Sequence, residues 1–188
     1  MTINITVITP DYVLQASDRL MTAIAGGGYD DDANKGLLLQ SDDGIFAITF
    51  SGLGRFRLGT KTHRIDLWLA ERMLDDGLPE LPIAAGIKKL AGAATDLSRR
   101  FKNPGARLSI VVAGWWRETA SSAVMWLISN CLADDARTRL QRANDEFKIQ
   151  SIPIARKGGM VWISGAWEVM SRPDRRRLKA ALSRSPSL

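Results

Sequence analysis

The stretch Ile3-Asn4-Ile5-Thr6-Val7-Ile8-Thr9-Pro10-Asp11-Tyr12-Val13-Leu14-Gln15-Ala16-Ser17-Asp18-Arg19 decides how this chain is read. Ile3, Ile5 and Val7 alternate with Asn4 and Thr6, the period of a half-buried strand. Thr9-Pro10-Asp11 carries turn chemistry, and residues 12–17 read as the partner strand. Directly upstream stands Met1-Thr2; downstream, beyond Gly26-Gly27-Gly28 and Asp30-Asp31-Asp32, comes Asn34-Lys35. Loss of Met1 is expected to leave a threonine that carries a hydroxyl and a free α-amine on one residue. Such an amine titrates near ~7.7–8.0 and is a usable proton acceptor at neutral pH. A hydroxyl nucleophile needs an adjacent base, and a chain terminus supplies one without a histidine.

Working outward, a second hairpin is expected: residues 36–40, the turn Ser41-Asp42-Asp43-Gly44, then residues 45–51. Two helices follow. Ile65, Trp68, Leu69 and Met73 fall on one face of the first, and Ile83, Ile87, Leu90, Ala94, Leu97 and Phe101 form a continuous stripe on the second. Pro82 marks the start of the second helix and Asn103-Pro104-Gly105 its end. Strands resume at 108–113, 123–129 and 160–164, with a charged helix or long loop over 132–147 and a short basic helix at 173–182. Strands, then two amphipathic helices, then strands again imply an α+β fold with helices segregated onto sheet faces. A four-layer αββα sandwich satisfies the burial demands of both strands and stripes.

Composition narrows the classes. At 188 residues, 45% hydrophobic and 24% charged, one soluble globular domain is expected, without an internal boundary or repeat. No run approaches the ~20 apolar residues of a membrane helix, and no signal-peptide pattern opens the chain. A single Cys, Cys131, cannot form an internal disulfide and fits a cytoplasmic location. With one His and one Cys, neither a zinc site nor a cofactor is expected. His63 has no evident carboxylate partner for a triad, and Gly26-Gly27-Gly28 lacks the following Gly-Lys-Ser/Thr of a phosphate loop. The net charge of +6 is concentrated in residues 171–188, whose local net is +5. Residues 1–170 therefore read as the globular body and 171–188 as a basic helix or tail, a solvated feature that does not argue for nucleic acid. Trp115, Trp116, Trp126, Trp162 and Trp167 at strand ends read as core or interface residues rather than as a platform for bases.

Taken together, the threonine start, Val13-Leu14-Gln15-Ala16-Ser17-Asp18-Arg19, Asn34-Lys35 and Phe46-Ala47-Ile48-Thr49-Phe50-Ser51-Gly52-Leu53-Gly54 resemble the proteasome family of N-terminal nucleophile hydrolases. Val111-Val112-Ala113-Gly114-Trp115 and Trp162-Ile163-Ser164-Gly165 resemble that family's central strand and Ser-Gly element. The resemblance implies a threonine-type amidohydrolase or peptidase with a peptide or amide substrate, working as a homo-oligomer. It implies Thr2 as nucleophile, Lys35 as the cation that keeps the Thr2 amine neutral, and Asp18 as the partner that holds Lys35. It further implies the Gly52 N–H as oxyanion donor, worth roughly 2.7–4 kcal/mol in comparable sites. Ser164 is the remaining polar helper. Taken singly, each residue has a plainer reading: Thr2 as a strand residue, Asp18-Arg19 as a strand-end ion pair, Lys35 as a solvated cation, Gly52 as a turn and Ser164 as a strand serine. A catalytically silent protein that keeps the same fold for assembly or binding, with its basic tail open to contact with nucleic acid, is the alternative function.

Overall fold

The structure, a computed structural model, describes residues 3–9, 12–18, 21–22, 29–30, 33–100, 105–117, 123–132, 143–152, 154, 160–165, 173–174, 176–177 and 180. Among the described residues, eight strands precede the first helix: β1 (Ile3–Ile8), β2 (Val13–Ser17), β3 (Met21–Thr22), β4 (Tyr29–Asp30), β5 (Gly36–Ser41), β6 (Gly44–Gly52), β7 (Arg55–Leu58) and β8 (Lys61–Arg64). The helices α1 (Ile65–Asp75) and α2 (Ile83–Arg100) follow, joined through a 3-10 turn at Leu78–Glu80. Four more strands close the described fold: β9 (Leu108–Trp116), β10 (Ala123–Ser129), β11 (Lys148–Ile152) and β12 (Met160–Gly165).

A five-stranded sheet runs in the order β11-β10-β9-β6-β5 and a three-stranded sheet in the order β12-β1-β2. Two short ladders, β3-β4 and β7-β8, stand beside them. Every pairing is antiparallel. β9 is central because it can be: its run LSIVVAGWW is apolar on both faces. Ile110 and Val112 join Phe46, Ile48 and Phe50 under Leu69, Ile87, Leu90 and Ala94 of the helices. Val111 and Ala113 point the other way, packing with Met125 and Leu127 against Ile8 of the small sheet. The five-stranded sheet therefore has helices on one face and strands on the other. Of the helical stripes read from spacing, Ile65, Leu69 and Met73 on α1 and Ile83, Ile87, Leu90, Ala94 and Leu97 on α2 are buried and Trp68 is half-buried, while Phe101 lies outside the described residues.

A four-layer αββα sandwich is not what forms. The described residues hold twelve antiparallel strands and two complete α-helices, both packed on the same face of the large sheet. The residues between Gly54 and Ile65, to which the sequence reading assigned no strand, make the β7-β8 hairpin, and residues 148–152 add the edge strand β11. The chain thus spends more of its length on antiparallel strands, and two helices supply one helical layer. β1 differs from expectation too. Asn4 and Thr6 are buried, whereas Ile5 is only half-buried, because the polar positions share a face with Ile8 and point between the sheets. The described residues of the basic C-terminal stretch, Pro173, Asp174, Arg176, Arg177 and Ala180, are helical and exposed. Among the described residues no helix is long and apolar enough to cross a membrane.

α2 has no acidic residue in its own first turn. Asp43, in the β5-β6 turn, takes that place: Oδ1 accepts the Ile83 N–H at 2.8 Å, which sets a carboxylate at the positive end of the helix. The same oxygen accepts the Ser41 hydroxyl at 2.8 Å, and Oδ2 accepts Trp116 Nε1–H at 2.8 Å. Burial pushes this carboxyl up, but the bonds from Ile83, Ser41 and Trp116 together outweigh burial and hold it below the usual carboxylate range. One side chain thus ties a turn, a helix start and the end of β9 together.

Candidate active site

Asp18 ends the β2 side of the first hairpin, and Lys35 immediately precedes β5. The two strands belong to different sheets, so the fold and not the local chain brings these residues together. Lys35 Nζ donates to Asp18 Oδ1 at 3.1 Å. The Lys35 side chain is 1% exposed and that of Asp18 is 34% exposed, so the cation is interior and the carboxylate stands at the rim. Lys35 is therefore no solvated surface cation. A cleft of about 400 Å³ opens beside it, lined by Gln15, Ser17, Asn34, Lys35 and Thr49 among others.

Ser164 lies in the same sheet as the Asp18 hairpin. Its register partner in β1 is Asn4, and Asn4 in turn pairs with Ser17 of β2. A row Ser164–Asn4–Ser17 therefore crosses the small sheet and ends one residue from Asp18. The Ser17 hydroxyl donates to Asn4 Oδ1 at 2.5 Å. Ser164 Oγ, Asn4 Nδ2, Gln15 Oε1 and Thr49 Oγ1 are buried and have no hydrogen-bond partner among the described residues. Four orphaned polar atoms between two sheets are costly, at about 1–3 kcal/mol each when nothing pairs with them. Such a seam is suited to ordered water or to the polar groups of a substrate.

Gly52 closes β6 with φ 99°. A Cβ built there would lie 2.1 Å from the Arg107 carbonyl oxygen, so only glycine fits this approach of β6 to the start of β9. Gly36 pairs with Thr49, which puts Gly52 three residues further along, at the end of the sheet where Lys35 leaves β5. Thr2 lies outside the described residues; Ile3, the next residue, begins β1 and pairs with Gly165. Of the five residues singled out by sequence, the structure joins Asp18 and Lys35 directly. It sets Ser164 in the row beside them, and brings Gly52 to the same end of the large sheet.

Sequence reading missed Asn4, Ser17 and Thr49. The polar positions of β1 were the available signal, since buried strands rarely carry an asparagine without use for it. It also missed Asp66. That residue is buried in the first turn of α1, where it accepts Arg64 Nε–H at 3.0 Å, Arg64 Nη2–H at 2.5 Å and the Asn34 N–H at 3.1 Å. Burial pushes the Asp66 carboxyl up, but the Arg64 and Asn34 bonds and the Arg64 charge outweigh it, and the net direction is down. His63 stacks on Phe56 with ring centroids 5.2 Å apart. The tryptophans behave as core: Trp116 and Trp126 pack at the edge of the helical layer, Trp115 and Trp162 between the sheets, while Trp167 lies outside the described residues. Among the described residues no group of three or more His, Cys, Asp or Glu side chains is disposed to hold a metal ion. No protein-family model, no curated protein and no solved structure matches the chain.

Proposed function

We propose that this protein is a threonine-type amidohydrolase or peptidase in which Thr2, after removal of Met1, is both nucleophile and base. The observation that carries the reading is the interior Lys35 ammonium, held by Asp18 at 3.1 Å beside a polar cleft. An interior ammonium held against a carboxylate beside a polar cleft is the kind of arrangement active sites use, and this supports a chemical role for the pair. Thr2 is one residue from Ile3, within about 3.8 Å of it along the chain. Ile3 opens β1 beside the row in which Ser164 and Ser17 flank Asn4.

In the reaction the Thr2 hydroxyl oxygen bonds to the substrate carbonyl carbon and its proton passes to the Thr2 amine. Lys35 disfavours a second positive charge there, which keeps the amine unprotonated and able to accept. The tetrahedral oxyanion is stabilised by the Gly52 N–H. Collapse breaks the carbon–nitrogen bond, the leaving amine takes the proton, and an ester on Thr2 remains. Water then adds to the ester, with the same amine as base, and releases the acid. Ser164 supplies a polar contact at the strand end. We place the protein in the cytoplasm as a homo-oligomer, on its lone Cys131 and its exposed apolar helix positions.

Two measurements test the reading. Intact mass of the purified protein should show the loss of one methionine. Thr2→Ala should abolish amide hydrolysis and labelling by a threonine-directed electrophile, with thermal stability nearly unchanged. Hydrolysis by Thr2→Ala at the wild-type rate would overturn it, in favour of a silent assembly protein or another nucleophile.

A further inference from the structure

We propose that Asp66 is a positioning residue for Lys35, and that the first turn of α1 sets the geometry of the site; this rests on the reading of Lys35 as part of the catalytic machinery. The observations form a chain of contacts. Asp66 Oδ2 accepts the backbone N–H of Asn34 at 3.1 Å, across 32 residues of sequence. Asn34 is the residue before Lys35, so this bond fixes the Ala33–Asn34 peptide, one residue upstream of the point from which the Lys35 side chain departs toward Asp18. Asp66 is itself clamped by two bonds from Arg64, through Nε at 3.0 Å and Nη2 at 2.5 Å. Such a forked, charge-assisted pair holds the carboxylate plane as well as its position.

The neighbouring residue of α1 anchors the other half of the site. The Ile65 N–H donates to the Gly54 carbonyl at 3.0 Å, two residues beyond Gly52. Adjacent residues of one helix turn therefore hold the Lys35 segment and the Gly52 segment. Lys35 lies just outside its strand, since β5 begins only at Gly36, whereas Gly52 is paired with Leu108 at the end of β6 and the chain beyond it is held at Gly54. A buried carboxylate at a helix start is also favoured by the helix field, so it remains ionised while it does this work. Asp66 touches no reacting atom. Its effect passes through Asn34 to Lys35.

The test compares Asp66→Ala and Asp66→Asn in the full chain. With a small amide substrate, Asp66→Ala should lower kcat by roughly a hundredfold with little change in KM, as expected when a catalytic group is displaced by about 1 Å. Asp66→Asn keeps an oxygen for the Asn34 N–H and should recover part of that loss. A second arm needs no turnover. Acylation by an amine-reactive ester, followed by peptide mapping, should find Lys35 protected in the wild type. In Asp66→Ala its rate should rise toward that of exposed Lys88. If Asp66→Ala does not fold, Asp66→Asn carries both arms, with a smaller effect in the same direction. Unchanged kcat together with unchanged Lys35 protection overturns the proposal. A wild type that hydrolyses no amide defeats the Thr2 reading, and the acylation arm alone then decides whether Asp66 holds Lys35.

Discussion

Lys35 Nζ and Asp18 Oδ1 face each other across 3.1 Å with opposite exposures, the cation 1% and the carboxylate 34% accessible. The pair joins the end of a strand in the small sheet to the start of a strand in the large one, at the mouth of the cleft between them. Two sheets packed on apolar residues alone would be at least as stable, because a buried ion pair is often no better than an apolar replacement of the same size. Stability and activity should therefore come apart at this position.

Lys35→Met is expected to leave stability unchanged or slightly raised while removing hydrolysis. Asp18→Ala should do the reverse to stability, because it takes a charged partner away from an interior ammonium. The full cost of such a broken pair is about 3–5 kcal/mol, and the one-third exposure of Asp18 reduces it to roughly 1–3 kcal/mol. Urea unfolding and amide turnover on the two single variants and the double variant measure this. The double variant should be little less active than either single one, since residues that act as a unit are non-additive. Additive losses would make them independent charges.

Acid should weaken the fold through Asp43 and Asp66. Both carboxyls lie below the usual range in the folded protein, as the net result of burial opposed by stronger hydrogen bonding. Their stabilisation is therefore fully present above the unfolded carboxylate value of ~3.9 and is lost as pH falls through the folded values. Unfolding free energy should be flat near neutrality and fall progressively below about pH 5. Asp43→Asn and Asp66→Asn should each flatten that fall. Asp43→Ala should cost about 3 kcal/mol at neutral pH, because the Ile83 N–H and Trp116 Nε1–H both lose a charged acceptor. An unaltered acid profile in both Asn variants would assign the transition to other groups.

The parts of the fold that sequence revealed are those written in a local period. The strand 123–129 coincides with β10, and the stripes from Ile65 and Ile83 are the buried faces of α1 and α2. The β7-β8 hairpin was illegible because Arg55, Arg57, Lys61 and Thr62 leave Phe56 as its one deeply buried apolar side chain. β1 was read as half-buried, whereas Val7 on its apolar face and Asn4, Thr6 and Ile8 on the other are all buried, the polar pair serving a seam between sheets and not solvent. At the site, Asp18 and Lys35 were singled out by the family resemblance, and the structure brings the two into contact. The supports Asp43 and Asp66 were not: their partners stand 40 and 32 residues away, and only the packing of helices on the sheet brings them near.

Gly52→Ala should be among the most damaging small substitutions. The positive φ of 99° disfavours any side chain, and the added carbon meets the Arg107 carbonyl oxygen at 2.1 Å. Strain of this kind costs about 1–3 kcal/mol before the overlap is relieved by separating β6 from β9. Gly59, at φ 60° with nothing within 4 Å of a Cβ, is the control: Gly59→Asn should be nearly neutral. Equal melting temperatures for the Gly52→Ala variant and the wild type would refute the packing argument.

The final expectation concerns self-association. α1 buries Ile65, Leu69 and Met73, yet exposes Leu67 at 55% and Leu74 at 73%. Positions seven apart lie on one helix face, so these two leucines form a single outward apolar stripe. A stripe of this kind on a helix already packed on its other side is suited to a contact between copies. The chain should therefore sediment as a homo-oligomer at micromolar concentration, above its monomer mass of 20.7 kDa. Leu67→Glu with Leu74→Glu should shift it toward monomer, with a change in intrinsic stability of about 0.5 kcal/mol or less per site because neither side chain is buried. If hydrolysis falls with the oligomer and returns at high protein concentration, assembly contributes to the site. A wild type that sediments only at 20.7 kDa defeats the expectation, and an oligomer untouched by the double variant moves the contact off α1.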